Sequence, residues 1–429
     1  MVTIPFIYFT ILLLYRLVKQ HWKVDIASFI LLIYGSSAFF SIFVDKYGYS
    51  YYPSYKISFY ATFAYCSLLT ISIIPFLKFS NLSIRFIRPI SNNKYLKYAS
   101  ICVFAYFCIY LYMSANDVYN VLTGDIGALR AEHYTDNISS GWLANMNPIY
   151  RIPFVIFNLI TGAPWILQFL GFYTVIVQKM PMKYGALFIM SSLIGVVGNL
   201  SEAGRSDMVY WLIGMIACYI FYKPFIIASG GVEKKFRALG YFLIGCGIYI
   251  VGLITFSRYV DRDYGAIGGF VLYYGQSFNH FAYFFDKFEC PYPTLEIIFP
   301  FTYNVIGEAQ GGVVNIQQML TDKTGIFTGL FYTYIGQISV TSNNFVAALY
   351  CFIYSAVSFS VCKKIVKGCT LKLCFLYMAL ASVMFLGLFS HYYGFMNKTA
   401  SAIIWFFVIS RFANSTKYKV VDYNYESKV

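Results

Sequence analysis

Apolar residues gather along this chain in long runs separated by short polar connectors. Eleven runs suit membrane crossings: 2–17, 26–44, 58–77, 98–113, 152–177, 184–200, 208–225, 239–257, 342–362, 373–389 and 396–412. A helix spanning the hydrocarbon core needs about 20 apolar residues, and only helices or closed barrels satisfy every backbone polar group there. The pattern predicts an all-α polytopic membrane protein of about eleven transmembrane helices (range ten to twelve) in a single integral membrane domain over 1–429. The first run is short enough to suit a partial or re-entrant segment. The fifth carries Gly162-Ala163-Pro164, which predicts a kink or a strong tilt.

One stretch breaks the alternation. From Arg258 to Thr341, 84 residues, the sequence turns mixed and aromatic-rich, with charged residues scattered through it. This is read as one long external loop. Within it, 266–286 predicts a helix lying on or dipping into the outer surface. Its aromatic side includes Phe270, Tyr273, Phe281 and Phe285, and its more polar side includes Gln276, Asn279 and His280.

Composition agrees with the membrane reading. The chain is 59% hydrophobic and 12% charged over 429 residues, whereas soluble domains run at about 45–50% and about 25%. The net charge of +14 raises the question of a nucleic-acid partner, and the placement of the charges answers it. One set of alternating connectors (16–25, 78–97, 178–183, 223–237, 363–372 and the tail from 411) carries 22 basic residues, the other set 10, or 6 without 258–341. Basic connectors face the cytoplasm. Fourteen of the 18 acids fall on the opposite side. The positive charge therefore signals topology and attraction to anionic inner-leaflet lipid, and no nucleic-acid binding is implied. The C-terminus is placed in the cytoplasm and the N-terminus outside. No basic n-region or small-x-small cleavage site follows Met1-Val2-Thr3-Ile4-Pro5, so no cleavable signal is expected. Of ten cysteines only Cys290 lies in a clearly external loop, so no disulfide framework is expected. No internal repeat is present, which counts against transporter folds built on repeated bundles.

The candidate chemistry lies in the connectors assigned outside. Arg205, in Asn199-Leu200-Ser201-Glu202-Ala203-Gly204-Arg205-Ser206-Asp207, sits between two runs on the side where arginine is disfavoured. It reads either as an interfacial side chain snorkelling to water, paired with Glu202 or Asp207, or as a guanidinium fork for a phosphate or diphosphate. Arg130, in the second-longest external loop, and Arg258, at the end of the eighth run, carry the same two readings. Asp261-Arg262-Asp263 resembles a DxD that holds a divalent metal and a nucleotide-sugar diphosphate. Any two acids one residue apart match it, and nucleotide sugars are absent from the outer side, so a solvated turn or ion-pair network is the stronger reading. His280 reads as a hydrogen-bonded structural histidine, with a general base or sugar contact as the alternative. His133, His280 and His391 show no HxxxH or HExxH spacing, and no P-loop, GxGxxG in a βαβ context or GxSxG is present. No metal and no cofactor is expected.

Taken together, these features resemble the O-antigen polymerases (Wzy) and, more broadly, the oligosaccharide repeat-unit polymerases. The resemblance covers nearly the whole chain as architecture. Locally it rests on Gly204-Arg205-Ser206, on Arg130 and Arg258, and on Thr328-Gly329-Leu330-Phe331-Tyr332-Thr333-Tyr334-Ile335-Gly336. An acid-plus-glycine element expected near the end of the long loop reads Ile335-Gly336-Gln337, without the acid. The resemblance implies a GT-C-like, metal-independent glycosyltransferase of the bacterial inner (plasma) membrane. Such an enzyme transfers the growing chain from undecaprenyl diphosphate to a new lipid-linked repeat unit. It implies Arg205 and Arg258 as a diphosphate clamp and Arg130 as a positioning residue for the second substrate. Arg262, Asp261 and Asp263 become substrate contacts, and His280 or a loop carboxylate the proton acceptor. Its partners would be lipid-linked oligosaccharides, membrane lipid, and a chain-length regulator and flippase of the same pathway. The rivals are an O-antigen ligase, a polysaccharide flippase or permease, and an unrelated transporter with an extracellular domain.

Overall fold

Long apolar runs without internal partners for their backbone fold as helices, and helices dominate the computed structural model. It describes residues 1–44, 55–124, 147–201, 206–228, 265–329, 331–366 and 368–413, with the isolated positions 241, 245, 249 and 252. Sixteen α-helices lie among the described residues, and the strand-like pairing found there is a single parallel bridge between Ile87 and Cys369. Six helices are long and apolar enough to cross a membrane, or seven if a pair bent by 66° counts as one span. The chain is a polytopic, all-α membrane protein.

The first four helices are α1 (Thr3–Lys19), α2 (Ile26–Val44), α3 (Phe59–Lys78) and α4 (Asn93–Thr123). Side chains close their open ends: Ser58 accepts from the Ala61 amide and Asn92 from the Lys94 amide. α4 runs about ten residues beyond its apolar run. No Gly or Pro interrupts Ser114–Thr123, and Gly124 ends it. At 1.5 Å per residue it is about 46 Å long, well over the hydrocarbon thickness.

The bend lies where Gly162-Ala163-Pro164 predicts it, between α5 (Pro148–Thr161) and α6 (Pro164–Ile176). Every residue of α6 is buried, as expected of a helix apolar all round. α7 (Met182–Ser191) and α8 (Ile194–Ser201) form one apolar stretch, and α9 (Ser206–Ala228) follows. The eighth predicted run, 239–257, lies almost wholly outside the described residues.

Helix α10 (Gly265–Lys287) packs most extensively along α2 and also meets α3. Gly275 permits this approach, because a Cβ there would meet the Phe40 carbonyl carbon at 2.6 Å. Ser37 and Ser41 of α2 donate to the Tyr274 and Gly275 carbonyls. The helix expected at 266–286 is thus present and seated against the bundle. Two short helices follow, α11 (Pro300–Ile306) and α12 (Gly312–Thr324). The buried Glu296 carboxylate accepts from the Gln310 and Gly312 amides and ties their connector.

The chain then returns into the bundle as α13 (Thr333–Thr341), all nine residues of it buried. α14 (Asn344–Ile365), α15 (Leu371–Phe385) and α16 (Met396–Ala413) complete the order. α14 exposes Phe345, Leu349, Phe352, Ile353 and Val357, the face a lipid-contacting helix presents. At the α14–α15 connector the sulfurs of Cys369 and Cys374 are bonded. This departs from the expectation of no disulfide. Cys369 is pinned in extended backbone by Phe86 and Arg88, and the first turn of α15 carries Cys374 back over it.

Candidate functional site

The site grows from two places where helices stop inside the bundle. α15 ends at Phe385, and the following residues Leu386, Leu388 and Phe389 are fully buried without helical structure. α13 begins only at Thr333, whose φ is +68°, a left-handed conformation rare for a β-branched residue and costly enough to mark a functional region. Each irregular segment satisfies the other: the Tyr334 amide donates to the Gly387 carbonyl at 2.8 Å and the Tyr332 amide to the Phe389 carbonyl at 3.2 Å. The Gln337 side-chain oxygen accepts from the His391 amide. Broken backbone at membrane depth is tolerated only where protein or a cavity surrounds it, and in transporters such breaks surround binding sites.

The aromatic residues of these segments join neighbouring helices into a continuous wall. Phe389 lies 5.2 Å from Phe331, 5.2 Å from Tyr273 of α10 and 6.1 Å from Tyr210 of α9. Tyr210 lies 5.5 Å from Tyr392, and its hydroxyl is 3.1 Å from the Ser390 hydroxyl.

At one end of the wall stands a cation. Lys398, in the first turn of α16, places its ammonium 2.6 Å from Asp207 Oδ1 in the first turn of α9. It sits 4.9 Å from the Tyr210 and Tyr392 ring centroids and 5.6 Å from that of Phe395. Such contacts favour a cation electrostatically. The α5–α6 bend holds the start of α16 in place: Gly162 brings the Asn397 backbone so close that a Cβ would meet it at 2.5 Å.

At the other end is His280, 4% exposed, with Nδ1 3.1 Å from the Phe331 carbonyl oxygen. A carbonyl only accepts, so Nδ1 carries the proton and Nε2 holds the lone pair. Burial pushes this imidazole down to about 4, so the ring is neutral at ordinary pH. Beneath the wall His391 is 2.9 Å from the Tyr350 hydroxyl through Nε2, while its Nδ1 and Gln337 Nε2 are buried without a hydrogen-bond partner among the described residues. Burial pushes His391 down to about 4 as well.

Of the residues singled out from sequence, His280 falls on this wall. Arg130, Arg205, Arg258, Asp261, Arg262 and Asp263 lie outside the described residues. The connector carrying Arg205 continues directly into Ser206 and Asp207, and Asp207 is part of the site. Sequence reasoning missed Lys398. It opens a helix on the side where basic residues are scarce, the same signal that singled out Arg205 and Arg258. Among the described residues no three His, Cys, Asp or Glu side chains converge as metal ligands.

No family model, curated protein or solved structure matches the chain. The chemistry must be read from the residues themselves. They offer a neutral histidine, a caged cation with its carboxylate, and aromatic faces between them. The caged cation suits an anionic group.

Proposed function

We propose that the chain polymerises undecaprenyl-diphosphate-linked oligosaccharide repeat units into O-antigen or a related surface polysaccharide. The growing chain moves from its lipid diphosphate to a new lipid-linked repeat unit at the outer face of the inner membrane. In this reading the protein is a GT-C-like bundle of eleven spans with a cytoplasmic C-terminus. The observation that carries the reading is the return of 331–341 into the bundle. Its start belongs to the stretch 328–336 that resembles the repeat-unit polymerases, and Phe331 there meets Phe389 and through it Tyr210, in the helix that begins directly after Gly204-Arg205.

The reaction suits such residues. The leaving group is a lipid diphosphate, and cations that stabilise its developing charge can supply much of the catalysis. Arg205 and Arg258 clamp that diphosphate, and Arg130 positions the second lipid-linked substrate. Asp261, Arg262 and Asp263 contact substrate. His280, whose Nδ1 is bonded to the Phe331 carbonyl, or a loop carboxylate takes the attacking hydroxyl's proton.

Deleting the gene and examining lipopolysaccharide by gel tests the proposal. A core bearing one repeat unit is the expected result. Loss of all O-antigen would assign a ligase or flippase, and an unchanged ladder would reject all three. Arg205→Ala is expected to abolish polymer while the protein still accumulates, and normal chain length in that variant would sink the clamp.

A further inference from the structure

We propose that Lys398 is an anion-binding residue of the site, a cation that exchanges the Asp207 carboxylate for a phosphate of the incoming diphosphate. The substrate assignment rests on the polymerase reading, and the anion binding rests on geometry alone.

Lys398 is 6% exposed, yet among the described residues a single acceptor, Asp207 Oδ1, takes a hydrogen bond from its three N–H donors. Three aromatic rings surround the rest of the ammonium. A buried ion pair adds little net stability, because the attraction is spent on removing both charges from water; apolar residues of the same volume often do as well. A purely structural role therefore explains poorly why a charge is kept here. The rings change the balance. They hold a cation with or without the carboxylate, so the ammonium is prepared for a change of partner.

The pair is also unevenly enclosed. The Lys398 side chain is 8% exposed and that of Asp207 24%, so solvent reaches the pair from the carboxylate side. An anion arriving there competes with Asp207 for the ammonium, and a doubly charged phosphate competes well. Lysine suits such exchange, since it binds as a point charge from several directions, whereas arginine favours fixed bidentate geometry. The cation itself is firmly placed by the Gly162 contact to Asn397. Its carboxylate partner lies two residues after Arg205.

Full-length protein in neutral detergent, titrated with inorganic pyrophosphate against chloride of matched ionic strength, tests this by thermal unfolding. Wild type is expected to show a saturable rise in midpoint. Lys398→Met is expected to lose it, Lys398→Arg to keep it, and Asp207→Asn to reach it at lower pyrophosphate. The swap Asp207→Lys with Lys398→Asp restores the pair, so it is expected to recover thermal stability but form no polymer. Polymer from the swapped variant, or an unchanged pyrophosphate response in Lys398→Met, overturns the proposal and leaves a structural latch. A saturable shift with phosphatidylglycerol vesicles and none with pyrophosphate assigns the anion to bulk lipid, which also overturns it. An unchanged lipopolysaccharide ladder on deleting the gene would remove the polymerase reading and leave the pyrophosphate result standing.

Discussion

The carbonyl oxygen of Ile160 and the indole Nε1 of Trp405 stand 2.9 Å apart, and the Ser401 hydroxyl reaches the same oxygen at 2.8 Å. The cause is four residues downstream of Ile160. Pro164 has no amide proton, so the i→i−4 bond that would have used this carbonyl cannot form. α16 supplies both replacements. The bend and the last helix are thereby one unit, and that unit carries Lys398.

Removing both donors leaves a buried carbonyl unsatisfied, at a cost of about 1–3 kcal/mol. Trp405→Phe with Ser401→Ala is expected to lower the thermal midpoint of the detergent-purified protein by clearly more than either single change. Equal midpoints for the double variant and Trp405→Phe alone would show that Ser401 contributes nothing to this carbonyl.

Gly275 offers a sharper test of packing. A methyl group there meets Phe40 backbone at 2.6 Å, closer than real Cβ contacts come, and backbone cannot swing aside as a side chain can. Gly275→Ala is expected to separate α10 from α2 and to reduce accumulation in the membrane strongly. Val305→Ala, at an exposed position of α11, is the matched control and should accumulate normally. Equal yields would mean that α10 does not depend on this contact.

How much of this was legible in the sequence depends on what the signal measures. Of the eleven spans expected from hydropathy, six, or seven with the bent pair, are helices long and apolar enough to cross a membrane among the described residues, and Gly162-Ala163-Pro164 marked the bend, because both signals report local chemistry. The partner that satisfies Ile160 was not legible, since Ser401 and Trp405 lie more than 200 residues away. Nor was the burial of 333–341. It is a nine-residue helix, too short to register as a span, and its polar Thr333, Gln337 and Thr341 resemble loop residues until 386–391 is placed against them. His280 was recognisable because histidine is scarce in this chain. Lys398 carried the same signal as Arg205, a basic residue in the connector set poor in them, but its partners Asp207 and Tyr210 lie about 190 residues away.

The two buried histidines fix a direction for pH dependence. Burial holds both at about 4 in the folded protein, below the ordinary value near 6.5. The unfolded chain therefore binds more protons between these values, and stability rises with pH across that window. The contribution is complete above about 6.5 and fades as pH falls towards about 4. Thermal midpoints measured from pH 7.5 to 5 should fall, and His280→Gln, which keeps a donor for the Phe331 carbonyl, should flatten the slope. An unaltered slope in that variant would remove His280 as a source of the effect.

At the opposite end of the bundle Arg16 and Asp25 form a buried ion pair at 2.5 Å. Ser28 and Ser80 also donate to the carboxylate, and Arg16 donates to the Leu77 carbonyl. Burial raises the Asp25 carboxyl, but the Arg16 guanidinium and Ser28 outweigh it and hold it below the usual carboxylate range. Breaking such a pair from one side strands a charge, at about 3–5 kcal/mol, whereas replacing both members is far milder. Asp25→Asn and Arg16→Met should each reduce accumulation sharply, and the double variant should recover part of it. A double variant whose loss equals the sum of the two single losses would show that the two side chains act independently.

Orientation decides whether the Lys398 wall faces the compartment where lipid-linked sugars are joined. The orientation proposed from 22 basic residues on one set of connectors against 10 on the other has the α14–α15 connector inside and the α13–α14 and α15–α16 turns outside. The charge bias acts through short connectors, so three sites report it independently of the long stretch. Single cysteines in a cysteine-free background at Lys94, Asn343 and Lys363, labelled in intact cells with a membrane-impermeant maleimide, should react only at Asn343. Reaction at Lys94 and Lys363 without Asn343 would invert the bundle, place the wall in the cytoplasm, and rule out polymerisation at the outer face.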